Sequence, residues 1–245
     1  MANFLERAGF PKPAPKEGRA TERLAVVAGH YGSGKTNFAV NLALHLAAGD
    51  GWAERFGLAR EPEPVTLVDL DIVNPYFRAA DAGELMRAAG VRLVAPRYAG
   101  SNLDIPALPP EVGQVFGGEC RAVFDVGGDD AGAIALGRYA ADFERAGYQF
   151  LFCVNFRRIE TRTPREAYEL LREIEAASRL RATAIVNNTN LGEETTGALV
   201  RESLPPMEEL AALSGLPVAG VTALPGVAAE LPGALPVERY IGVPF

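Results

Sequence analysis

Gly29-His30-Tyr31-Gly32-Ser33-Gly34-Lys35-Thr36 is the stretch on which the fold turns. It fits G-x-x-x-x-G-K-[ST] in full. The apolar run Leu24-Ala25-Val26-Val27-Ala28 precedes it. Residues Thr36–Ala47 follow, with Ala39, Leu42, Ala43 and Leu46 on one helical stripe. A strand, a glycine loop and a helix give the pattern its physical meaning. Backbone N–H groups and the helix N-terminus face a phosphate. Lys35 is expected to bridge β- and γ-phosphates, and Thr36 to offer its hydroxyl to Mg²⁺. The plainer alternative is a glycine turn before a helix. The chain's own Gly, Lys and Ser/Thr frequencies make a chance match on the order of 0.2%.

Lysine usage points the same way. Lys and Arg together number 24, yet only Lys12, Lys16 and Lys35 are lysine. Arginine is a wide planar fork, whereas lysine is a compact charge on a flexible stem that enters a narrow loop.

Bulk properties narrow the class. The 245 residues are 48% hydrophobic and 22% charged, with a net charge of −7. That suits one soluble α/β domain with a large core. The acidic balance argues against general nucleic-acid binding. Arg157, Arg158, Arg162 and Arg165 do cluster, either as a local anion site or as the solvated start of a helix. No stretch approaches the roughly 18 to 20 apolar residues of a membrane span. Met1–Arg7 has no apolar signal core. Cys120 and Cys153 form no metal-spaced set and read as buried free thiols. These features predict a cytoplasmic protein without membrane contact.

Residues 1–22 carry Pro11-Lys12-Pro13-Ala14-Pro15 and read as an N-terminal arm; residues 23–245 read as a single domain. Within it, apolar runs alternate with helical patterns. The runs are Leu24–Ala28, Val65–Asp69, Val91–Val94, Ala122–Asp125, Phe150–Val154, Thr183–Val186 and Val218–Val221. Several lack polar alternation, as strands buried on both faces should. Helices are expected over Thr36–Ala47, Gly132–Ala146, Pro164–Ser178 and Glu193–Leu213. Thr163, Pro164 and Glu166 form a helix-start signature. Gly49–Pro64 reads as an inserted loop or short helix, and Arg97–Pro110 as a long loop. The expected fold is an α/β, mostly parallel, doubly wound sheet of about seven strands with helices on both faces.

Carboxylates fall where ligands sit in such sheets. Leu67-Val68-Asp69-Leu70-Asp71-Ile72 ends the second run, and strand alternation puts Asp69 and Asp71 on one face. Two carboxylates there repel unless a cation or proton lies between them. Asp125 closes the run Val123-Phe124-Asp125, a Walker-B arrangement that holds Mg²⁺ directly or through water. Gly128, three residues on, suits a turn whose N–H senses the γ-phosphate. Asp129 and Asp130 read as helix-start carboxylates. The expected metal ligands are Thr36, Asp69 and Asp125. Lys35, Asp69 and Asp71 are the expected catalytic groups, and Asp71 is the one that positions water.

These elements together resemble the branch of P-loop NTPases that holds the ParA/MinD partition ATPases, the nitrogenase iron protein and the dethiobiotin-synthetase-like ligases. GHYGSGKT, VDLDIVNPYFR and NNTNLGEETT resemble a group of uncharacterised bacterial ATP-binding proteins. The resemblance implies phosphate, metal and water-positioning roles for Lys35, Thr36, Asp69, Asp71 and Asp125. One departure matters: where MinD-like members carry a second lysine that acts across a dimer, this chain has His30. Arginine replaces it, His30 does, or sandwich-dimer catalysis is not used. His30 is equally readable as a neutral residue bonded to backbone. A homodimer stays open.

Base choice is partly legible. Asn187-Asn188-Thr189-Asn190 occupies the place of a guanine-reading N-K-x-D motif. Its last position lacks the carboxylate that accepts from two ring donors. That favours ATP, with Asn187 and Asn188 near the base. Candidate nucleotide contacts are therefore Gly29, His30, Tyr31, Gly32, Ser33, Gly34, Lys35, Thr36, Asn37, Gly128, Asn187 and Asn188. Asn74–Arg78 and Phe156–Thr163 are expected to shape the side facing a client or second substrate. The leading expectation is an Mg²⁺- and ATP-dependent switch ATPase acting on a protein partner. An ATP-dependent ligase or kinase for a small carboxylate or hydroxyl substrate is the alternative. A GTPase or a non-hydrolysing sensor is weaker.

Overall fold

The computed structural model of the chain describes residues 22–59, 63–70, 82–95, 111–117, 120–128 and 130–241. One eight-stranded sheet organises them. Its strands are β1 (Leu24–Ala28), β2 (Val65–Leu70), β3 (Val91–Val94), β4 (Arg121–Val126), β5 (Gln149–Val154), β6 (Ala184–Asn187), β7 (Val218–Ala223) and β8 (Leu235–Pro236). The order is β3-β2-β4-β1-β5-β6-β7-β8, and every pair is parallel. All seven expected strands form. The eighth is two residues long and ends in proline, a residue tolerated only at a sheet edge; no apolar run announces it.

Alternation along each strand feeds two cores. Leu24, Val26, Phe124, Phe150 and Phe152 face one side. There they meet Leu136 of α4 (Asp130–Gly137), Phe143 of α5 (Ala140–Ala146), Leu171 of α6 (Pro164–Ser178) and Met207 of α8 (Leu204–Ser214). Ala25, Val27, Leu67, Val123, Leu151 and Cys153 face the other side, against α1 (Lys35–Ala48). Four short helices complete the described residues: α2 (Gly83–Ala88), α3 (Glu111–Val115), α7 (Gly197–Glu202) and, after α8, α9 (Pro225–Ala229).

Helix α1 is buried beyond its expected stripe: Phe38, Val40 and Asn41 are also enclosed. The cause is the insertion after it. Residues Ala53–Phe56 form a single 3-10 turn, and Trp52 and Phe56 pack on Phe38 with ring centroids 5.8 and 5.2 Å away. A helix covered on opposite sides has little use for a polar face.

Two expected helices are broken in the structure. Gly132–Ala146 divides at Arg138 and Tyr139 into α4 and α5. Gly137 there packs so close to α6 that a Cβ would lie 2.8 Å from the Ala177 carbonyl oxygen. Glu193–Leu213 divides into a 3-10 turn, α7 and α8. Pro205 and Pro206 lack the N–H groups a continuous helix would need, but they suit the first turn of a new one.

The expected start of α6 is present. Thr163 N donates to Glu166 Oε2 at 2.8 Å, and Glu166 N donates to Thr163 Oγ1 at 3.2 Å. Residues 1–21, Asp71 with 72–81, 96–110 and Asp129 lie outside the described residues. Glu22, assigned to the arm by sequence, bridges to Leu58.

Losing the cap should be measurable. Thr163→Ala is expected to cost about 1 kcal/mol at neutral pH by urea unfolding. The Thr163 N–H and hydroxyl hold the Glu166 carboxyl below its ordinary value. Its contribution is therefore complete above the unfolded Glu value and fades as pH falls through the lower folded one. The gap between wild type and variant should narrow in acid.

Candidate functional site

Strand β1 lies between β4 and β5, so the loops after all three open at one end of the sheet. The chain leaves β1 toward β2 and leaves β5 toward β6. Diverging exits of this kind open a crevice at the C-terminal ends of parallel strands, the usual ligand position. The loop Gly29–Thr36 sits there.

Glycine is required at several of its positions. Gly32 and Gly34 have φ of 76° and 77°, left-handed values that favour glycine. A Cβ on Gly29 would run into the Cys153 carbonyl oxygen, and one on Gly34 into the Asn188 side-chain amide. The loop is thus wedged between β5 and the residues after β6.

Its carbonyls are bonded by side chains, one from the loop itself and the others from outside it. His30 Nδ1 lies 3.0 Å from Tyr31 O, which makes Nδ1 the protonated nitrogen; Glu160 is 3.7 Å from the same atom. The Gly32 carbonyl accepts from Arg158 Nε at 2.9 Å and from Asn155 Nδ2 at 3.3 Å. Ser33 O accepts from Asn188 Nδ2 at 2.7 Å. Thr222 Oγ1 in turn donates to Asn188 Oδ1 at 2.6 Å. Within the loop, Ser33 N donates to His30 O at 3.1 Å. The buried Ser33 hydroxyl has no hydrogen-bond partner among the described residues.

Lys35 and Thr36 open α1 and are buried, at 4% and 6% exposure. Asp69 and Asp125 are Cα partners on adjacent strands, so both side chains leave the sheet on the same face. Both are buried. Cys153 ties the set together: burial pushes its thiol up, Asp125 pushes the same way, and Lys35 pushes down. Asp125 and Lys35 therefore both act on one thiol beneath the loop.

Gly128 meets the loop directly. A Cβ there would lie 2.5 Å from Tyr31 N and 2.9 Å from Tyr31 Cα, so the turn after β4 packs on the loop backbone.

Other expected contacts have different surroundings. Asn37 faces the C-terminal segment: its Oδ1 accepts from Tyr240 N and Ile241 N, each at 2.9 Å. Asn187 is fully buried, donating to Ser203 Oγ at 2.8 Å and accepting from Thr189 N at 3.1 Å. A base edge at Asn187 would have to displace those bonds. Asp71 lies outside the described residues.

The arginine cluster separates into distinct roles. Arg157 pairs with Glu202, and Arg165 with Glu169 at 3.3 Å, whereas Arg158 reaches the loop. Sequence left Arg158 undecided, because only the adjacency of β5 to β1 brings it to Gly32.

Among the described residues, no three His, Cys, Asp or Glu side chains group to hold a metal ion. Mg²⁺ does not need such a cage, since it is commonly held by one or two carboxylates, waters and substrate phosphates. A hydroxyl in the first turn of α1 and two carboxylates on neighbouring strands are groups of the kind that such a site uses.

No family model and no curated protein matches the chain. Solved structures do. The signal recognition particle 54 kDa protein of Aeropyrum pernix, in complex with GDP, is similar over 89% of this chain, with 17% identity and a TM-score of 0.52. The likeness is one of fold, a parallel α/β sheet with helices on both faces. This chain spans 45% of the length of that protein. The cell division protein FtsY of Thermotoga maritima gives 17% identity, a TM-score of 0.49 and coverage of 90% of this chain and 67% of that one. For FtsY of Elizabethkingia anophelis the values are 18%, 0.46, 97% and 67%.

Asn188→Ala should loosen the loop. It removes the donor to Ser33 O and the acceptor for Thr222, a loss of about 1–3 kcal/mol by denaturant titration. Phosphate-ligand affinity should fall with it.

Proposed function

We propose that this protein is an Mg²⁺-dependent nucleoside-triphosphate switch. The contact between Gly128 and the Tyr31 backbone carries this reading. A nucleotide whose β-phosphate occupies the Gly29–Thr36 loop directs its γ-phosphate toward the turn after β4. That turn already touches the loop, so the third phosphate enters only if the turn moves. Nucleotide state is thereby coupled to the position of Gly127 and Gly128 and of the helix that follows.

Each group has a definable task. Loop N–H groups and the start of α1 hold the β-phosphate. The Lys35 ammonium bridges to the γ-phosphate, and the Ser33 hydroxyl donates to a phosphate oxygen. Thr36, Asp69 and Asp125 would hold Mg²⁺, which supplies charge neutralisation across the phosphates. Asp71, two residues beyond Asp69 in the sequence, orients the attacking water. Catalysis of this kind rests on positioning and charge stabilisation.

ATP is the preferred substrate in this reading. Position 190 carries no carboxylate for guanine, and the Asn190 amide is occupied: it donates to Asn188 O at 2.7 Å and accepts from Gly192 N at 3.2 Å. GTP is the second reading, favoured by the fold likeness to a protein that holds GDP. A protein client fits the switch, and a homodimer is compatible with it. The ligase or kinase reading needs arginines for a second substrate; carboxylates engage Arg157 and Arg165, which leaves it Arg158 and Arg162 of that cluster.

Titration with ATP, GTP and their diphosphates, with and without Mg²⁺, tests the proposal. Lys35→Ala is expected to lower triphosphate affinity on the order of 100-fold, from the loss of charge-assisted bonds of about 1.5–3 kcal/mol. Unchanged affinity overturns the site. Stimulation by a small acid, with a phosphorylated or ligated product, would establish the ligase or kinase instead.

Asp71→Ala is expected to reduce hydrolysis by about tenfold or more while binding stays within about twofold. Equal loss of both in steady-state and binding assays would move Asp71 to a metal or structural role.

A further inference from the structure

Among the described residues, Ile159 is the most exposed large apolar side chain, at 70%. It opens the 3-10 turn Ile159–Thr161, between β5 and α6. A lone exposed isoleucine is ordinary, but this one has neighbours. Tyr31, 49% exposed, belongs to the loop after β1, and Ile134, 56% exposed, to α4 after β4. Strands β4, β1 and β5 are adjacent and parallel, so all three residues follow the same ends of neighbouring strands. Contacts join the segments that carry them. Gly128, two residues before α4, lies against the Tyr31 backbone. Glu160, beside Ile159, lies 3.7 Å from His30, beside Tyr31. Helix α4 packs along α6, which the Ile159 turn precedes.

Charge borders this apolar tip, and its sign opposes that of the chain. Residues 155–165 hold Arg157, Arg158, Arg162 and Arg165 against a single carboxylate, Glu160, whereas the whole chain carries −7. Arg162 follows the turn directly and is exposed. Arg157 and Arg165 pair with Glu202 and Glu169, but both carboxylates are exposed, and surface pairs contribute little. The turn itself is firmly placed. Thr161 Oγ1 donates to Asn155 O at 2.6 Å, and Asn155 in turn donates to Gly32 O. An apolar tip bordered by arginine matches a partner that sets an apolar side chain among carboxylates. Apolar contact supplies affinity, and opposite charge supplies orientation and encounter rate.

We propose that Ile159, with Tyr31, Ile134 and the arginine border, is the docking surface for an acidic segment of a client protein that carries an apolar anchor. The proposal rests on the protein-client reading above and names the chemistry of that client. Ile159 is the anchor point, and Arg162 faces the client's carboxylates. A client seated there covers Tyr31 of the glycine loop and a turn bonded to Gly32. Its binding is thereby linked to what the loop holds.

The full-length protein tests this by fluorescence anisotropy, without nucleotide, against three labelled synthetic peptides. One sets leucines among glutamates at helical spacing, one sets the same leucines among lysines, and one replaces leucine by serine among the glutamates. The Glu–Leu peptide is expected to bind about tenfold or more tightly than either of the others, and to weaken as salt rises. Ile159→Ser should weaken it by about tenfold, as loss of a buried isoleucine contact implies. Ile159→Leu should keep most of the affinity, and Arg162→Glu should lower it severalfold. Leu213→Ser, at an exposed apolar residue of α8, should change it by less than about twofold. No binding of the Glu–Leu peptide overturns the proposal, as does equal binding of the Lys–Leu peptide. Affinity that both Ile159→Ser and Arg162→Glu leave intact overturns it too. A wild-type dimer in sedimentation that Ile159→Ser disperses makes this face an interface between copies, which also overturns it. Because nucleotide is absent, failure here leaves the phosphate site standing, and a failed nucleotide titration leaves this surface standing.

Discussion

A glycine-rich loop cannot hold its own shape, and everything at this site follows from how that shape is imposed. In Gly29–Thr36 the carbonyls of Tyr31, Gly32 and Ser33 turn toward neighbouring side chains. Outward carbonyls need donors, because a buried polar group without one is costly. The structure supplies them from three directions: His30 at Tyr31 O, Asn155 and Arg158 at Gly32 O, and Asn188 at Ser33 O. The loop is thereby held by its own His30 and by side chains that follow β5 and β6. Thr222 on β7 extends the chain of bonds one strand further by gripping Asn188.

That scaffolding links stability to function. The residues after β5 and β6 serve as walls for the loop and as ties between strands. Asn155 joins the Gly32 carbonyl to Asn190, and Thr161 Oγ1 donates to Asn155 O at 2.6 Å. The opposite wall is of another kind. There Gly128 lies against the Tyr31 backbone, where an added side chain would clash.

Much of this architecture was legible. The seven longer strands announce themselves because strands buried on both faces must be apolar along their whole length. Thr163, Pro164 and Glu166 start α6 as a local signature requires, since capping depends on residues three apart. Other features were not. The break between α4 and α5 arises where Gly137 packs against Ala177, and the divided α7 and α8 reflect Pro205 and Pro206, visible in the sequence but overridden in the helical reading by apolar periodicity. Asn37 follows the loop directly, yet it bonds the C-terminal segment more than 200 residues away. Asn187 reads as a base contact in sequence order and is bonded to Ser203 in space.

By itself, the sequence determined the glycine loop between strand and helix, the parallel α/β plan and the strand-end carboxylates. Each of those is written in a local pattern: glycines where positive φ is needed, apolar runs where both faces are covered, and Asp where a strand stops. Only the tertiary structure decided which strands are neighbours, and that order decides which side chains reach the loop. Asp69 and Asp125 become partners because β2 lies beside β4. Arg158 reaches Gly32 because β5 lies beside β1. Strand order is set by long-range packing of two cores, which no local pattern encodes. The one described lysine marks the site from sequence alone; the arginine beside it is visible only in the fold.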